Sequence, residues 1–330
     1  MYKLIIFSDS YASVSGVLIR ATMIALHNRD DIKLESICIR RPQKYSNLVY
    51  WHVRNLLRRY IQSIFDTERK AVYTYPWPLN LERLAGRYGF KVLTPPGNNI
   101  NDPEFIDELR KIEQPSIAFS IFCGQRFSPE LLGVFEHAVN YHNGLLPKYR
   151  GVGATLWSIY NCEKESGFTF HRMNEEFDEG PILLQGSIPL RTNYTIFDIE
   201  YEKVVSAAKS IPLLLDKLIK NEEGVPQAGE AKYFSRKDLR GMRNIADPST
   251  ILSSEFLKRL RSFVMLNIKI NGNWYRVTKL DPVKENIDTS KALCFRSRDG
   301  VTMNATRFDF LPLSLYKFQN IIKKYLLRDI

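Results

Sequence analysis

Three polar residues stand at spacings that can bring an amide, an imidazole and a carboxylate to one point: Asn140, His142 and Asp178. Asn140 and His142 lie in the strand-like run AVNYH (138–142), where side chains at i and i+2 leave on the same face. A carboxamide donates hydrogen bonds to an oxygen that is gaining negative charge. An imidazole, with an ordinary pKa of about 6.5, moves protons at neutral pH. Asp178 comes 36 residues after His142, in the acidic turn EEFDEG (175–180). Only tertiary folding can bring it back, and beside an imidazole it would stabilise the charged ring and fix its orientation.

The elements that must position these residues are legible as an alternation of apolar, β-prone runs with amphipathic ones. That is the pattern of βαβ units around a parallel sheet. KLIIFS (3–8) reads as a first strand, 14–29 as the helix returning from it and LESICIR (34–40) as the next strand. Segment 47–70 is helical by its apolar spacing and reads as an insertion on one side. Leu81 to Tyr88 predicts a helix ended by Gly89, and KVLTPP (91–96) a strand. Asp102 before Pro103 predicts a helix start running to Ile112, and Ser128 before Pro129 another. SIAFSIF (116–122) has the nearly continuous apolar character of a central strand buried on both faces.

After PILLQGSIPL (181–190), Thr195 and Asp198 form a capping box opening a long helix to about Glu223, which Pro212 should kink. Residues 224–250 are rich in Gly, Pro and charge and read as a linker. Beyond a short helix (254–263), FVMLNIKI and WYRVTKL flank Asn271-Gly272, a strong hairpin signal, and Asp299-Gly300 predicts a second hairpin. Residues 313–327 close the chain as an apolar-periodic helix. The expected architecture is α/β: a Rossmann-like, mostly parallel sheet with flanking helices over 1–230, then a smaller β-rich domain with a terminal helix over 231–330. Ligands on such sheets gather at the carboxyl ends of the strands, where CGQRF (123–127), HNGLLP (142–147) and EEFDEG all fall.

With 330 residues, 44% of them hydrophobic and 25% charged, the chain has the composition of a globular protein with room for two domains. Cys38, Cys123, Cys162 and Cys294 are far apart and form no Cys-x-x-Cys, which argues against a zinc ribbon or a redox pair and suits a reducing cytoplasm. The apolar run in MYKLIIFSDS is too short for a signal peptide, and no stretch is long enough to span a membrane. The sequons at Asn193 and Asn304 are then accidental. A net charge of +11 favours anionic partners: nucleotides, polyglutamylated folate, nucleic acid or an anionic membrane face.

Three motifs, VNYHNGLLPKYRG (139–151), ATLWSIYNCEKESGFTFHRM (154–173) and EEFDEGPILLQ (175–185), resemble the 10-formyltetrahydrofolate-dependent formyltransferases. That family's pattern runs Asn-x-His, LLP-x-Tyr/Phe-x-Gly, Thr-x-His and Asp-x-Gly, and the middle motif is most similar to the sugar-nucleotide N-formyltransferases. The resemblance covers about 115–190 well and gives the last 70 or so residues no counterpart. It implies that Asn140, His142 and Asp178 carry catalysis, without a metal. It also implies that 10-formyltetrahydrofolate lies against Gln125, Arg126 and Phe127, with Phe122 nearby and the acidic loop bearing Glu175 and Glu176 as the other wall. Phe122 and Phe127 suit the core equally well, and His171 suits a structural role.

Lys148 and Arg150 flank the motif and suit either a phosphate of the acceptor or plain solvation. Trp274 or Tyr275 suits either a nucleotide base or the hairpin core. The implied reaction is N-formylation of a nucleotide-linked amino sugar, with methionyl-tRNA formyltransferase as the alternative that the charge would suit. Three departures from the pattern, Ala154 for proline, Cys162 for glycine and Asn143-Gly144 after the histidine, bear on the acceptor. The carboxy-terminal hairpins and helix offer surfaces for a homodimer or for closing the monomer.

Overall fold

A computed structural model of the protein describes residues 1–9, 14–27, 29–40, 79–191, 194, 196–239, 241–263, 265–283 and 293–311. The helices expected over 47–70 and 313–327 lie outside these residues, as does Thr195 of the capping box. The first part of the chain supplies strands β1 (Tyr2–Ser8), β2 (Ile32–Ile39), β3 (Lys91–Leu93), β4 (Ser116–Ile121), β5 (His137–His142), β6 (Arg150–Gly151), β7 (Glu165–Arg172) and β8 (Ile182–Pro189). Its helices are α1 (Val14–Leu26), α2 (Leu81–Tyr88), α3 (Pro103–Arg110), α4 (Pro129–Leu132), α5 (Ala154–Tyr160) and α6 (Ile196–Ile219).

Seven strands form one sheet in the order β3-β2-β1-β4-β5-β7-β8. The strands β3 to β5 run parallel, and β7 and β8 are antiparallel to their neighbours. The sheet is the mostly parallel one expected. The two-residue period of its strands sorts the core onto two faces. Leu4, Ile6, Ile117, Phe119 and Ile121 pack with Leu18 and Ile19 of α1 and Val204, Ala207 and Ile211 of α6. Ile5, Phe7 and Ala118 face the other way, onto Phe105, Ile106 and Leu109 of α3 and Leu131 of α4. All six residues of β4 are buried, the small polar Ser116 and Ser120 among them, as its nearly continuous apolar run leads one to expect.

Local chemistry sets the boundaries. The side chain of Asn80 accepts from Arg83 N to open α2, Asp102 accepts from Glu104 N and Phe105 N to open α3, and Ser128 caps α4, a single turn. Strand β3 is shorter than KVLTPP suggests, because Pro95 and Pro96 cannot donate to the ladder. Pro212 lies inside α6 without ending it. Cys162, where the resembling family carries glycine, sits just past α5 at φ 56°. A side chain in this left-handed region costs about 1–2 kcal/mol. Cys162→Gly is therefore expected to raise the stability by up to about 1 kcal/mol once the greater freedom of unfolded glycine is subtracted, read as a higher urea midpoint. A lowered midpoint would contradict that reading of the turn.

The later part of the chain contributes β9 (Tyr233–Phe234), α7 (Arg236–Leu239), β10 (Asn244–Ile245), α8 (Ser253–Phe263), β11 (Leu266–Ile270), β12 (Asn273–Pro282), β13 (Leu293–Arg296) and β14 (Thr302–Leu311). Segment 224–250 is not the plain linker its composition suggests. Strand β9 pairs in parallel with β6, and Phe234 is stacked between Trp157 at 4.5 Å and Tyr149 at 5.8 Å between ring centroids. The second sheet has the order β10-β11-β12-β14-β13. Its first hairpin turns at Asn271 and Gly272, both at positive φ (49° and 81°) as a two-residue turn of this type demands. Tyr275 packs onto the core of this sheet. Helix α8 joins the two parts through Tyr160 Oη, which donates to Glu255 Oε1 at 2.7 Å. Among the described residues no helix is long and apolar enough to cross a membrane.

Candidate functional site

A cleft of about 530 Å³ opens at the carboxyl ends of β4 and β5, lined by Asn140, His142 and Asp178 together with Phe122, Gln125, Arg126, Phe127, His171 and Glu176. His142 Nδ1 lies 3.4 Å from Asp178 Oδ1, and His171 Nε2 lies 3.5 Å from the same oxygen. Asn140 Nδ2 is 3.1 Å from His171 Nε2. The amide, the carboxylate and two imidazoles thus form one buried-edged cluster. His171, expected to be structural, belongs to it. Antiparallel pairing puts it directly opposite Asn140 in the β5–β7 ladder.

The hydrogen-bond partners determine the tautomers. His171 Nδ1 faces the Arg172 carbonyl at 2.8 Å, and His142 Nε2 faces the Tyr149 carbonyl at 2.6 Å. Carbonyl oxygens only accept, so these two nitrogens carry the ring hydrogens. Neutral His171 then offers a lone pair at Nε2, which accepts from Asn140 Nδ2 and orients that amide with its second N–H free for another acceptor. Neutral His142 has its lone pair at Nδ1, so a proton taken up there arrives beside Asp178.

The Asp178 loop is tied down from several sides. Asp178 sits at φ 58°, a conformation aspartate tolerates, and its Oδ2 accepts from Gly151 N at 2.8 Å. Gln227 Nε2 donates to the carbonyls of Asp178 (2.8 Å) and Gly180 (2.9 Å), and Arg150 Nη2 donates to the Phe177 carbonyl at 3.2 Å and pairs with Glu179. The turn after His142 is as closely built. A Cβ on Gly144 would come within 2.5 Å of Ala154 Cβ and 2.8 Å of His142 Nε2, so only glycine lets the chain pass the ring. Thr169 Oγ1 donates to the Gly144 carbonyl at 2.7 Å.

Burial pushes the His142 pKa down, with His171 and Lys203 adding to the effect and Asp178 and the Tyr149 carbonyl partly opposing it, so the ring is neutral at pH 7. For Asp178, burial alone would raise the pKa. The charges that the two imidazoles carry when protonated, His142 first, and the Gly151 N–H outweigh burial and bring it down to about 2. A carboxyl held below its unfolded value of 3.8 stabilises the fold above that pH and loses the contribution as pH falls toward 2. Wild-type protein should therefore lose about 1–2 kcal/mol more stability between pH 5 and 3 than Asp178→Asn, measured by urea unfolding. Equal acid slopes would show that this carboxylate has no favoured charged state.

The remaining candidate residues divide. Gln125 accepts from Ile100 N at 3.0 Å and donates to Asn99, so it fixes the loop beside the cleft. Arg126 and Glu176 meet at 3.6 Å across its lip. Phe122 leaves β4 at φ 53°, rare for a bulky side chain, and packs on Tyr141 at 5.1 Å while facing the cleft. Phe127 is fully buried and meets Phe7 edge-on at 4.9 Å, so it is chiefly a core residue. Glu175 is exposed and does not line the cleft, nor do Lys148 and Arg150. Lys148 pairs with Glu163 at 2.6 Å, and Arg150 is committed to the acidic turn. Reading the sequence alone missed Asp9, Tyr233 and Arg236, which complete the cleft wall.

Residues 90–212, the stretch holding all four members of the cluster, match the family model described as formyl transferase. The likeness to that family rests on this segment, a little over a third of the chain. A GDP-perosamine N-formyltransferase of Brucella melitensis is 35% identical over 148 residues, which are 44% of this chain and 56% of that protein. The match thus spans little more than half the length of that relative. Beyond the matched segment, the fold is similar to that of an N-formyltransferase from Helicobacter canadensis, solved with folinic acid and dTDP-3-aminofucose. The TM-score is 0.58 at 21% identity, over 92% of this chain and 99% of that one. A 4-N formyltransferase from Francisella tularensis gives a TM-score of 0.58 at 17% identity, over 87% and 99% of the two chains.

Proposed function

We propose that this protein moves the formyl group of 10-formyltetrahydrofolate to the amine of a nucleotide-linked amino sugar. The observation that carries the reading is the meeting of Asn140, His142, His171 and Asp178 in one cleft, within the segment that matches the formyl transferase family model. The cleft fits a folate. Its volume of about 530 Å³ is in the range of small-molecule sites, with Phe122, Met173 and Phe177 as apolar lining and Gln125, Arg126 and Glu176 as polar rim. The bound folate supplies an electrophilic formyl carbon.

The chain's own residues then divide the work. Asn140, its amide oriented by His171, points an N–H at the formyl oxygen as that oxygen gains charge. His142, neutral at pH 7 through burial, accepts the proton of the attacking amine at Nδ1. Asp178 stabilises the resulting imidazolium, which returns the proton to the departing nitrogen. The amino-sugar acceptor is supported by the named relatives, which include an enzyme for GDP-perosamine and one solved with dTDP-3-aminofucose.

The test is a panel of acceptors at fixed 10-formyltetrahydrofolate, followed by release of tetrahydrofolate. Turnover with an amino-sugar nucleotide and none with methionyl-tRNA is expected. Formylation of methionyl-tRNA with every amino-sugar nucleotide inert would replace this reading with the other.

A further inference from the structure

Beneath the cleft lies a lysine with no solvent exposure. Lys203, on α6, donates from Nζ to the Asn143 carbonyl at 2.9 Å, to Thr155 Oγ1 at 2.6 Å and to Ser166 Oγ at 3.4 Å. An ammonium has three hydrogens, and here each has an acceptor from a different element: the exit of β5, helix α5 and strand β7. Lysine is almost never fully buried without such partners. The Asn143 carbonyl belongs to the residue directly after His142. The same residue's side chain is held as well, its Nδ2 donating to Thr155 Oγ1 at 3.2 Å and its Oδ1 accepting from Tyr141 Oη at 3.2 Å.

We propose that Lys203 is a positioning residue for His142: its buried ammonium pins the peptide carbonyl beyond the imidazole to α5 and β7, and so sets the ring against Asp178. At Gly144 a Cβ would come within 2.8 Å of His142 Nε2, so the chain held at Asn143 runs close against the ring. The inference rests on the proposed function only where turnover is the readout.

The charged and titratable groups facing His142 are Asp178 from the acidic turn, His171 from β7 and Lys203 from α6. Glu200, one turn earlier on α6, faces Lys203 and Tyr141. Burial pushes the Lys203 pKa down, and Glu200 opposes this. The cation in turn lowers the pKa of His142. Removing it should move the His142 titration midpoint upward.

The experiment uses Lys203→Met, which keeps the stem and loses the donors, with Thr155→Val as a milder variant that removes one acceptor and leaves the cation. Lys203→Met is expected to lower kcat about 100-fold, the scale of a misplaced catalytic group, with KM for both substrates little changed. Thr155→Val should lower kcat in the same sense by a smaller factor, and it carries the test if Lys203→Met does not fold. NMR titration of the His142 ring, which needs no substrate, should show a raised midpoint in Lys203→Met. In folded variants, a kcat near that of wild type together with an unmoved His142 midpoint overturns the proposal. A wild-type chain inert toward every acceptor would sink the functional reading, while the His142 titration would still decide the role of Lys203.

Discussion

Replacing His142 by asparagine is expected to lower kcat by about 1000-fold, within the span that a positioned acid–base group contributes. The size follows from the ring's place in the structure. His142 is buried, neutral at pH 7, and has its one lone pair beside a carboxylate. Among the described residues lining the cleft, His171 is the other imidazole, and its lone pair is engaged by Asn140. Asparagine can still donate to the Tyr149 carbonyl, so the loop keeps a partner and the variant should fold. Turnover is measured at saturating substrates, and kcat and kcat/KM should fall together, the signature of an interaction made in the transition state. A variant retaining a tenth of wild-type kcat would assign the proton transfer to another group.

Asn140→Ala should cost about 100- to 1000-fold in kcat, as does loss of a single donor to a developing oxyanion. Alanine removes the cleft-facing N–H and also strips His171 Nε2 of its partner. Asn140→Asp separates these effects. A carboxylate of the same size can accept but not donate, so it should be at least as inactive as alanine. Binding of 10-formyltetrahydrofolate to Asn140→Ala, followed by fluorescence quenching, should stay within a few-fold of wild type, since the interaction develops with the charge. An unchanged kcat in Asn140→Ala would remove the oxyanion role.

The part of this site that a strand's two-residue period can express was readable from the chain itself. Asn140 and His142 share a face because AVNYH is a strand, and β4 is central because its nearly continuous apolar run, with only the small Ser116 and Ser120 as polar residues, suits burial on both faces. Asp178 was readable only through its family pattern, because nothing local points across the 36 residues that separate it from His142. His171 was read as structural, and its pairing with Asn140 could not be foreseen for a related reason. Its partner is set by the β5–β7 register, which no single strand encodes. Gln227, in a segment whose Gly, Pro and charge suggest a linker, reaches back 49 residues to hold the Asp178 carbonyl. Lys203 follows the same logic. On an amphipathic helix a lysine reads as solvent-facing, and only the packed structure shows the carbonyl and hydroxyls that draw it inward. Lys148 and Arg150, basic residues beside the motif, suit a phosphate or solvation by sequence, and the structure pairs them with Glu163 and Glu179.

The most direct test of the central claim is a single-turnover reaction with 10-formyltetrahydrofolate carrying carbon-13 in its formyl group. The wild-type chain is compared with one bearing Asn140→Ala, His142→Asn and Asp178→Asn together. Label is expected to pass to the amine nitrogen of an amino-sugar nucleotide in the wild type and to stay on the folate in the variant, with both chains folded. Transfer at similar rates in both would contradict the account, because the carbon would then be reacting somewhere other than where these groups converge.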